Sequence, residues 1–426
     1  MGTSNVIAWL MRGQPARAGA RERLLVGAAL GLLAVHTLLD TVIAPERGTG
    51  AGDHLAAMLV PLALVAGIAA LYPRLPTGGR AVIAAAIGAL ALVGAALAIA
   101  DARSTFDRAS DWTGFLLAPV GIALVAFGAM LAWRTRKPGG RRVLRRAALG
   151  LGVVAGVYWL LVPIAMGLLA THRPRAEAMP TPSGYRAVSL QTSDGLRLAA
   201  WYAPSRNGAA VISFPTRAGK LDHAAMLRDH GYGVLLVDMR GYDGSEGRPN
   251  AFGWGATRDI DAAVTWLAHR RDVRDGRIGG IGFSVGGEQM LEAAAANHAL
   301  RAVVSDGAGE RSVRETWLRG ARAALALPEA AMQTVAVSAL SGTAPPPSLE
   351  GVARRISPSA VFFVYAGRGG GGEDLNATFY RAAREPKAIW RVAEATHTGG
   401  LAAEPVAYER RVVGFFDRYL TGGSTR

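Results

Sequence analysis

The stretch that decides the fold is residues 277–290, "RIGGIGFSVGGEQM", in which a short apolar run ends at Ser284 and a helix-like segment follows. A strand-to-helix turn with a serine at its apex is strained, so the positions two before and two after it must be small. Gly282 and Gly286 meet that demand. Such a turn raises the serine Oγ above the sheet and aims the first helical amides, beginning with that of Val285, at the same point. Ser284 is therefore a candidate nucleophile, and the alternative is a glycine-rich turn with an idle serine.

The pattern around this turn predicts an α/β fold for residues 185–421, which follow a polar linker at 171–184. Short strand-like runs alternate with helix-like stretches from the third run onward, and this alternation predicts a mostly parallel sheet covered by helices on both faces. An "SDG" turn between the first two runs predicts an antiparallel hairpin at one edge. The eight runs lie at about 185–190, 196–203, 209–214, 232–237, 277–281, 301–305, 360–366 and 387–392.

A serine hydroxyl needs a base, and the base needs a carboxylate to orient it. On a sheet of this kind the chain order is serine, acid, histidine. The chain has eight histidines, and only His397, in "AEATHTGGL", lies beyond the last predicted strand. His397 is the candidate base, with an ordinary surface histidine as the alternative.

Three motifs make the second half resemble the α/β-hydrolase superfamily, and within it the serine hydrolases grouped with lysophospholipases, dienelactone hydrolases and serine aminopeptidases. They are "GYGVLLVDMRGYDGSEGRPN" (231–250), "GFSVGG" (282–287) and "ATHTGGLAAEPVAYERRVVGFFDRYL" (395–420). The resemblance implies the α/β-hydrolase fold with an eight-stranded sheet, a Ser-His-acid triad, an acyl-enzyme intermediate and a cap formed by the insertion at 307–357. It implies no metal and no organic cofactor.

The acid of the triad has three candidates. The resemblance places it just after the seventh strand, where the loop reads "RGGGGEDLN", so that Glu373 and Asp374 are the first carboxylates. Either one could orient His397 if the glycines loop out, and Glu373 is slightly preferred. Asp306, at the end of the sixth strand, is a substitute position, although a turn residue is the simpler interpretation.

The oxyanion hole also departs from the family pattern. The family usually has His-Gly after the third strand, and this chain has "ISFPTRAGK" there. Proline has no amide hydrogen to donate, so the donor would be the amide of Thr216 or Arg217. Together with the amide of Val285, it would stabilise the oxyanion.

The first 170 residues carry most of the apolar excess of this 426-residue chain, of which 50% is hydrophobic. At about 1.5 Å per residue, a stretch of about 20 residues crosses a hydrocarbon core about 30 Å thick. We predict an N-terminal segment at 1–23 and a transmembrane region at 24–170 built as an all-α bundle of about five helices. The five apolar stretches are 24–44, 55–72, 81–100, 114–133 and 147–170.

The charges between these stretches predict an orientation. Three segments on one side hold 13 Lys/Arg and two on the other side hold 3. The positive-inside rule then puts the N-terminus in the cytoplasm. With five crossings, the domain after residue 171 lies outside the cytoplasm, in a multi-pass protein of the cell membrane. The net charge is +15, and much of the excess of Lys/Arg over Asp/Glu lies beside apolar segments. This placement does not favour nucleic acid as a partner.

These features together predict a membrane-anchored serine hydrolase that cleaves an ester, thioester or amide. A carboxylesterase or lipase is preferred, with a peptidase next, and the expected partners are a small-molecule or lipid-like acyl substrate and membrane lipids. The alternative is a catalytically silent hydrolase-like domain that serves as a binding or scaffold module. A transporter with a hydrolase appendage is disfavoured, since paired charges within the apolar stretches are scarce.

Overall fold

The computed structural model describes residues 18–39, 42, 55–101, 109–134, 152, 156–171, 179–215, 220–320 and 323–422. The chain divides into two compact units. One comprises residues 1–46 and 50–166, and the other comprises residues 47–49 and 167–426. Each unit is considered by itself.

The first unit is helical. Its helices, together with one that continues into the second unit, are α1 Ala20–Leu38, α2 Leu55–Leu71, α3 Thr77–Asp101, α4 Ala109–Arg134 and α5 Val162–Thr171. Helices α3 and α4 pack backbone against backbone, because a Cβ at Gly88 would lie 2.7 Å from the carbonyl oxygen of Gly121, and one at Gly128 would lie 2.7 Å from that of Ala81. The glycines thus serve close helix packing, as expected of small-residue helix interfaces.

The prediction of five membrane spans is not upheld. Among the described residues, one helical segment, Thr113–Arg134, is long and apolar enough to cross a membrane. Three shorter apolar segments, Pro61–Arg74, Thr77–Ala89 and Tyr158–Thr171, also lie within the described residues, and α1 begins with the charged residues Arg21, Glu22 and Arg23. Parts of the predicted spans, including 147–151 and 43–44, lie outside the described residues.

The second unit is built on an eight-stranded sheet in the order β1-β2-β4-β3-β5-β6-β7-β8. Strand β2 runs antiparallel to both β1 and β4, and the remaining pairs are parallel. The mostly parallel sheet with one antiparallel edge is thereby confirmed. The strands are β1 Arg186–Gln191, β2 Arg197–Ala203, β3 Ala210–Phe214, β4 Gly233–Val237, β5 Ile278–Phe283, β6 Leu300–Asp306, β7 Ala360–Ala366 and β8 Lys387–Val392.

Helices cover both faces of this sheet. The pleat sends successive side chains to opposite faces, so Val211 and Ile212 of β3 belong to two separate buried clusters. The helices of the unit after α5 are α6 Leu221–Asp229, α7 Thr257–Ala268, α8 Val285–Ala296, α9 Val313–Leu318, α10 Ala323–Ser341, α11 Leu349–Ala353, α12 Asn376–Ala382, α13 Gly400–Ala403 and α14 Pro405–Phe416. The insertion at 307–357, between β6 and β7, holds α9, α10 and α11.

The carboxyl ends of β5, β6, β7 and β8 meet at one edge of the sheet, because these strands are mutually parallel. The loops that leave this edge carry Ser284 after β5, Glu373 after β7 and His397 after β8. Ligands and reactive side chains collect at such an edge in open α/β sheets.

Candidate active site

Ser284 lies between the last residue of β5 and the first residue of α8, with φ 55° and ψ −123°. A non-glycine residue with positive φ is uncommon and strained, and this strain is typical of a nucleophile on a strand-to-helix turn. A Cβ at Gly282 would lie 2.2 Å from the carbonyl oxygen of Gly286, and one at Gly286 would lie 2.2 Å from that of Phe214. The sharp turn therefore requires both glycines, for the reason that the sequence indicated.

A chain of hydrogen bonds joins three of the predicted residues. The Nε2 atom of His397 lies 2.7 Å from the Oγ of Ser284, and its Nδ1 lies 2.5 Å from Oε1 of Glu373. The Glu373 side chain is fully buried, while the imidazole of His397 is 16% exposed. With the carboxylate accepting from Nδ1–H, Nε2 carries the lone pair that can accept the serine proton.

The glycine run at 369–372 brings Glu373 against the histidine. Gly371 and Gly372 have φ 62° and 84°, and a Cβ at Gly369 would lie 2.4 Å from Oε1 of Glu373. The second carboxylate oxygen of Glu373 accepts a hydrogen bond from the amide of Ala366 at 2.8 Å. The acid is thus held at both oxygens before any substrate arrives.

The other two acid candidates lie elsewhere. Asp374 is exposed, on the short helical turn Glu373–Leu375 that buries its neighbour. Asp306 is buried and accepts a hydrogen bond from the hydroxyl of Tyr408 at 2.6 Å. Burial raises the pKa of Asp306 to about 6, although that hydrogen bond opposes the rise. Of the three, Glu373 is the carboxylate in contact with His397.

The amide of Val285 remains a predicted oxyanion donor. Val285 is the first residue of α8, and the first amides of a helix have no partner within that helix. The other predicted donors, Thr216 and Arg217, lie outside the described residues. The end of β3 that precedes them touches the turn, since a Cβ on Gly286 would also lie 2.3 Å from Cδ of Pro215.

Lys220 is a buried residue of this region that the sequence did not single out. Its ammonium donates to the carbonyl oxygen of Thr398 at 3.0 Å and lies 2.7 Å from the Thr398 hydroxyl. It also lies 5.0 Å from the ring centroid of Phe283. Lys220 therefore ties the segment after β3 to the loop that bears His397, and it contacts the residue that precedes Ser284. A lone lysine after a glycine gives no sequence signal of this role.

His223 is buried beside Lys220, between the rings of Phe283 and Tyr408, whose centroids lie 4.6 and 5.3 Å from its own. Burial, with a further contribution from the Lys220 charge, lowers the pKa of His223 to about 3. It is therefore neutral at physiological pH and acts as a packing residue. No feature of the local sequence distinguishes it from the surface histidines.

A pocket of about 100 Å³ adjoins the nucleophile turn. Its apolar wall is formed by Phe252, Trp254, Val285 and Val337, and its polar wall includes Glu288 and Arg311. Arg311 and Val337 come from the insertion at 307–357, so this segment helps to enclose the site. Within the described residues, no group of three His, Asp or Glu side chains is arranged to hold a metal ion.

Comparisons with known proteins agree with the fold. The family model described as X-Pro dipeptidyl-peptidase (S15 family) matches residues 170–367. The Mycobacterium tuberculosis (strain H37Rv) protein Rv2307c is 38% identical over 124 residues, which cover 26% of this chain and 43% of that protein. The α/β-hydrolase domain-containing protein WAV2 of Arabidopsis thaliana is 34% identical over 111 residues, covering 24% of this chain and 35% of that protein. The chain thus spans less than half the length of these curated relatives.

Among solved structures, the Pyrococcus furiosus esterase Pf2001 is 23% identical, with a TM-score of 0.48, and the alignment covers 59% of this chain and 98% of that one. The strand order, the strained serine after β5 and the family match to residues 170–367 are mutually consistent. The second unit has the α/β-hydrolase fold, and the family match covers less than half of the chain.

Proposed function

We propose that the second unit is a serine hydrolase that cleaves an ester, thioester or amide through an acyl-enzyme intermediate. The hydrogen-bonded series Ser284–His397–Glu373 carries this proposal. A serine in a strained turn, in contact with a histidine whose other nitrogen faces a buried carboxylate, is the arrangement that activates a weak nucleophile.

The reaction follows from these contacts. The Oγ of Ser284 attacks the substrate carbonyl while Nε2 of His397 takes its proton, and the amide of Val285 donates to the developing oxyanion. The imidazolium, paired with Glu373, then passes the proton to the leaving alcohol, thiol or amine. A water molecule attacks the acyl-serine by the same route, which releases the acid and restores the serine.

An ester or thioester with a small acyl or alcohol group is the preferred substrate class. The pocket beside Ser284 is small and has an apolar wall formed by Phe252, Trp254 and Val337, which suits a short substituent better than an extended peptide. The preference for carboxylesterase over peptidase activity belongs to this proposal.

Membrane attachment through the first unit is part of the same proposal. The segment Thr113–Arg134 is the candidate span that supports it. The segments predicted on one side of the membrane hold 13 basic residues and those on the other side hold 3, which supports a cytoplasmic N-terminus. With an odd number of spans, the hydrolase domain then lies outside the cytoplasm.

A membrane-impermeant fluorophosphonate probe tests both parts of the proposal. Cells that express the wild type, Ser284→Ala or His397→Ala are labelled intact and after lysis. Labelling of intact cells by the wild type alone is the expected result. Labelling that requires lysis would keep the enzyme and reverse its orientation. Folded wild-type protein that is never labelled would favour the silent binding domain.

A further inference from the structure

The carboxyl group of Glu288 opens into the pocket beside the nucleophile. Glu288 lies on α8 four residues after Ser284, which is about one helical turn, and it is only 6% exposed. It lines the pocket together with Val285, the predicted oxyanion donor. A substrate group in this pocket would therefore be close to the bond that is cleaved.

The other charged side chains of the pocket are already engaged. The carboxylate of Glu310 is hydrogen-bonded to Thr316 and paired with Arg319 at 3.1 Å. The guanidinium of Arg311 pairs with Glu292 at 2.6 Å and also donates to a backbone carbonyl at 2.7 Å. Both charges therefore already have a partner of opposite charge, although the buried Nε of Arg311 makes no hydrogen bond among the described residues.

Glu288 differs from both. Among the described residues, the one hydrogen bond made by its carboxyl comes from the amide of Gly309 at 3.4 Å, beyond the usual range for a strong bond. Burial raises the pKa of Glu288 to about 7, although the nearby charge of Arg311 and this amide oppose the rise. A buried carboxyl without a good partner is unfavourable. A leucine at this position would avoid that cost, so the presence of the carboxyl is explained if a ligand supplies its partner.

The remaining walls favour a cation as that partner. Phe252 and Trp254 line the same pocket, and aromatic faces attract ammonium groups. An anion would meet an uncompensated carboxyl and an arginine whose charge is already paired. A neutral alkyl group would leave the carboxyl as it is. The volume of about 100 Å³ accommodates a short aminoalkyl chain.

We propose that this pocket is a specificity subsite for a protonated amine on the substrate, close to the scissile carbonyl, with Glu288 as the residue that binds it. The inference rests on the proposed hydrolase function. It narrows the substrate class to esters or amides that carry a primary ammonium within a few atoms of the reacting carbon.

Matched substrates test this subsite. On the acyl side, p-nitrophenyl β-alaninate and p-nitrophenyl butyrate differ only by an ammonium in place of a methyl group. On the alcohol side, 2-aminoethyl butyrate and propyl butyrate differ in the same way. The kcat/KM ratio within each pair is measured at pH 8, where both the Glu288 carboxylate and the ammonium are charged, after subtraction of the uncatalysed rate.

The wild type is expected to prefer the ammonium member of at least one pair by roughly 10-fold to 100-fold, the range for one charge-assisted hydrogen bond. Glu288→Gln keeps the shape and is expected to remove that preference. Glu310→Gln removes a charge from the same pocket, but from a carboxyl that is already paired. This variant is expected to keep the preference for the ammonium substrate. A melting curve for each variant verifies folding, and the ratio cancels any general loss of rate.

This inference would be overturned if the kcat/KM ratio within each pair were the same in the wild type and in Glu288→Gln while the butyrate esters were hydrolysed. The proposed function would then still stand. A preference that Glu310→Gln removes and Glu288→Gln retains would overturn the inference as well. A folded wild type that hydrolyses none of the four esters would overturn the proposed function, and the subsite with it.

Discussion

Replacing Glu373 with glutamine is the sharpest test of the proposed triad, because the structure determines how the new side chain must sit. In the native site, one oxygen of Glu373 faces Nδ1 of His397 at 2.5 Å and the other accepts the amide hydrogen of Ala366 at 2.8 Å. A glutamine can satisfy the buried Ala366 amide only with its carbonyl oxygen. Its NH₂ group then faces Nδ1.

The consequence is a change of tautomer in His397. Nδ1 must become an acceptor for the glutamine NH₂, so the proton moves to Nε2, the nitrogen 2.7 Å from the Oγ of Ser284. An imidazole in this form cannot accept the serine proton. Loss of the orienting carboxylate with intact geometry lowers kcat by about 10⁴-fold in serine triads. We expect Glu373→Gln to lower kcat by a factor of that order.

The assay is hydrolysis of p-nitrophenyl butyrate, supported by the rate of fluorophosphonate labelling at Ser284. Asp374→Asn is the matched control, since it removes a carboxylate from the adjacent, exposed position, and it should retain kcat within about 3-fold, as a change at an exposed site with no role in the triad should. If Glu373→Gln keeps more than a tenth of the wild-type kcat, or if Asp374→Asn causes the larger loss, the assignment of the acid is wrong.

Three further predictions concern the groups that support the site. Lys220→Met removes the donor to Thr398 and should lower kcat/KM by roughly 10-fold, as expected for misplaced catalytic groups. If Lys220 acts by positioning His397, the substitution should cause no further loss in a His397→Ala background. An equal loss in that background would contradict a positioning role. Gly286→Ala puts a methyl group 2.2 Å from a backbone oxygen, so we expect the unfolding free energy to fall by about 3 kcal/mol or more and labelling to cease, and an unchanged melting temperature would refute this. Burial raises the pKa of Glu288 from 4.5 to about 7, so ionisation of this carboxyl lowers the free energy of unfolding progressively as pH rises through that interval. Glu288→Gln should therefore stabilise the fold by up to about 3 kcal/mol above pH 7 and by nothing below pH 4.5. Urea unfolding at pH 4 and pH 8 measures the difference.

The residues that could be predicted from sequence are those whose chemistry constrains their neighbours. Ser284 stood out because a sharp turn admits only glycine at Gly282 and Gly286, and the close backbone contacts at both positions give the physical reason. His397 stood out because it alone among the histidines follows the last strand. Alternation of strands and helices predicted the sheet because each parallel pair needs a crossover.

The residues that could not be predicted act through distant contacts. Lys220 and Thr398 are 178 positions apart, yet their side chains meet at 2.7 Å. Glu288 reads in sequence as an ordinary polar residue of a helix, and only the fold shows that it is buried. Choosing Glu373 over Asp374 required the path of the glycine loop, which local sequence does not determine.

The apolar stretches show a different limit. Composition alone predicted five spans, but a span also needs an unbroken helix of sufficient length. Among the described residues, the segment Thr113–Arg134 meets the requirements of both length and composition. Hydropathy averaged over a window cannot detect where a helix begins or ends, so it does not by itself establish how many of the five stretches are spans.

The buried carboxyls around His397 have a common effect on the proposed reaction. Burial raises the pKa of both Glu288 and Asp306, and the charge of His397 is one of the influences that oppose the rise. Interactions between charges are reciprocal, so these two groups, when ionised, stabilise the imidazolium that forms as Ser284 attacks. They do so without the hydrogen bond that Glu373 makes.

The ammonium of Lys220 also lowers the pKa of Asp306, which favours the ionised form of that carboxyl. The stabilisation of the imidazolium therefore depends on how many of these carboxyls are ionised. An ammonium bound at Glu288 would neutralise one of them. Binding of an ammonium substrate would thus reduce the stabilisation of the imidazolium, although the ion pair with Glu288 contributes binding energy. We therefore expect the preference for the ammonium substrate to lie in KM more than in kcat. A Glu288→Gln variant that lost the preference mainly through kcat would contradict this order of effects.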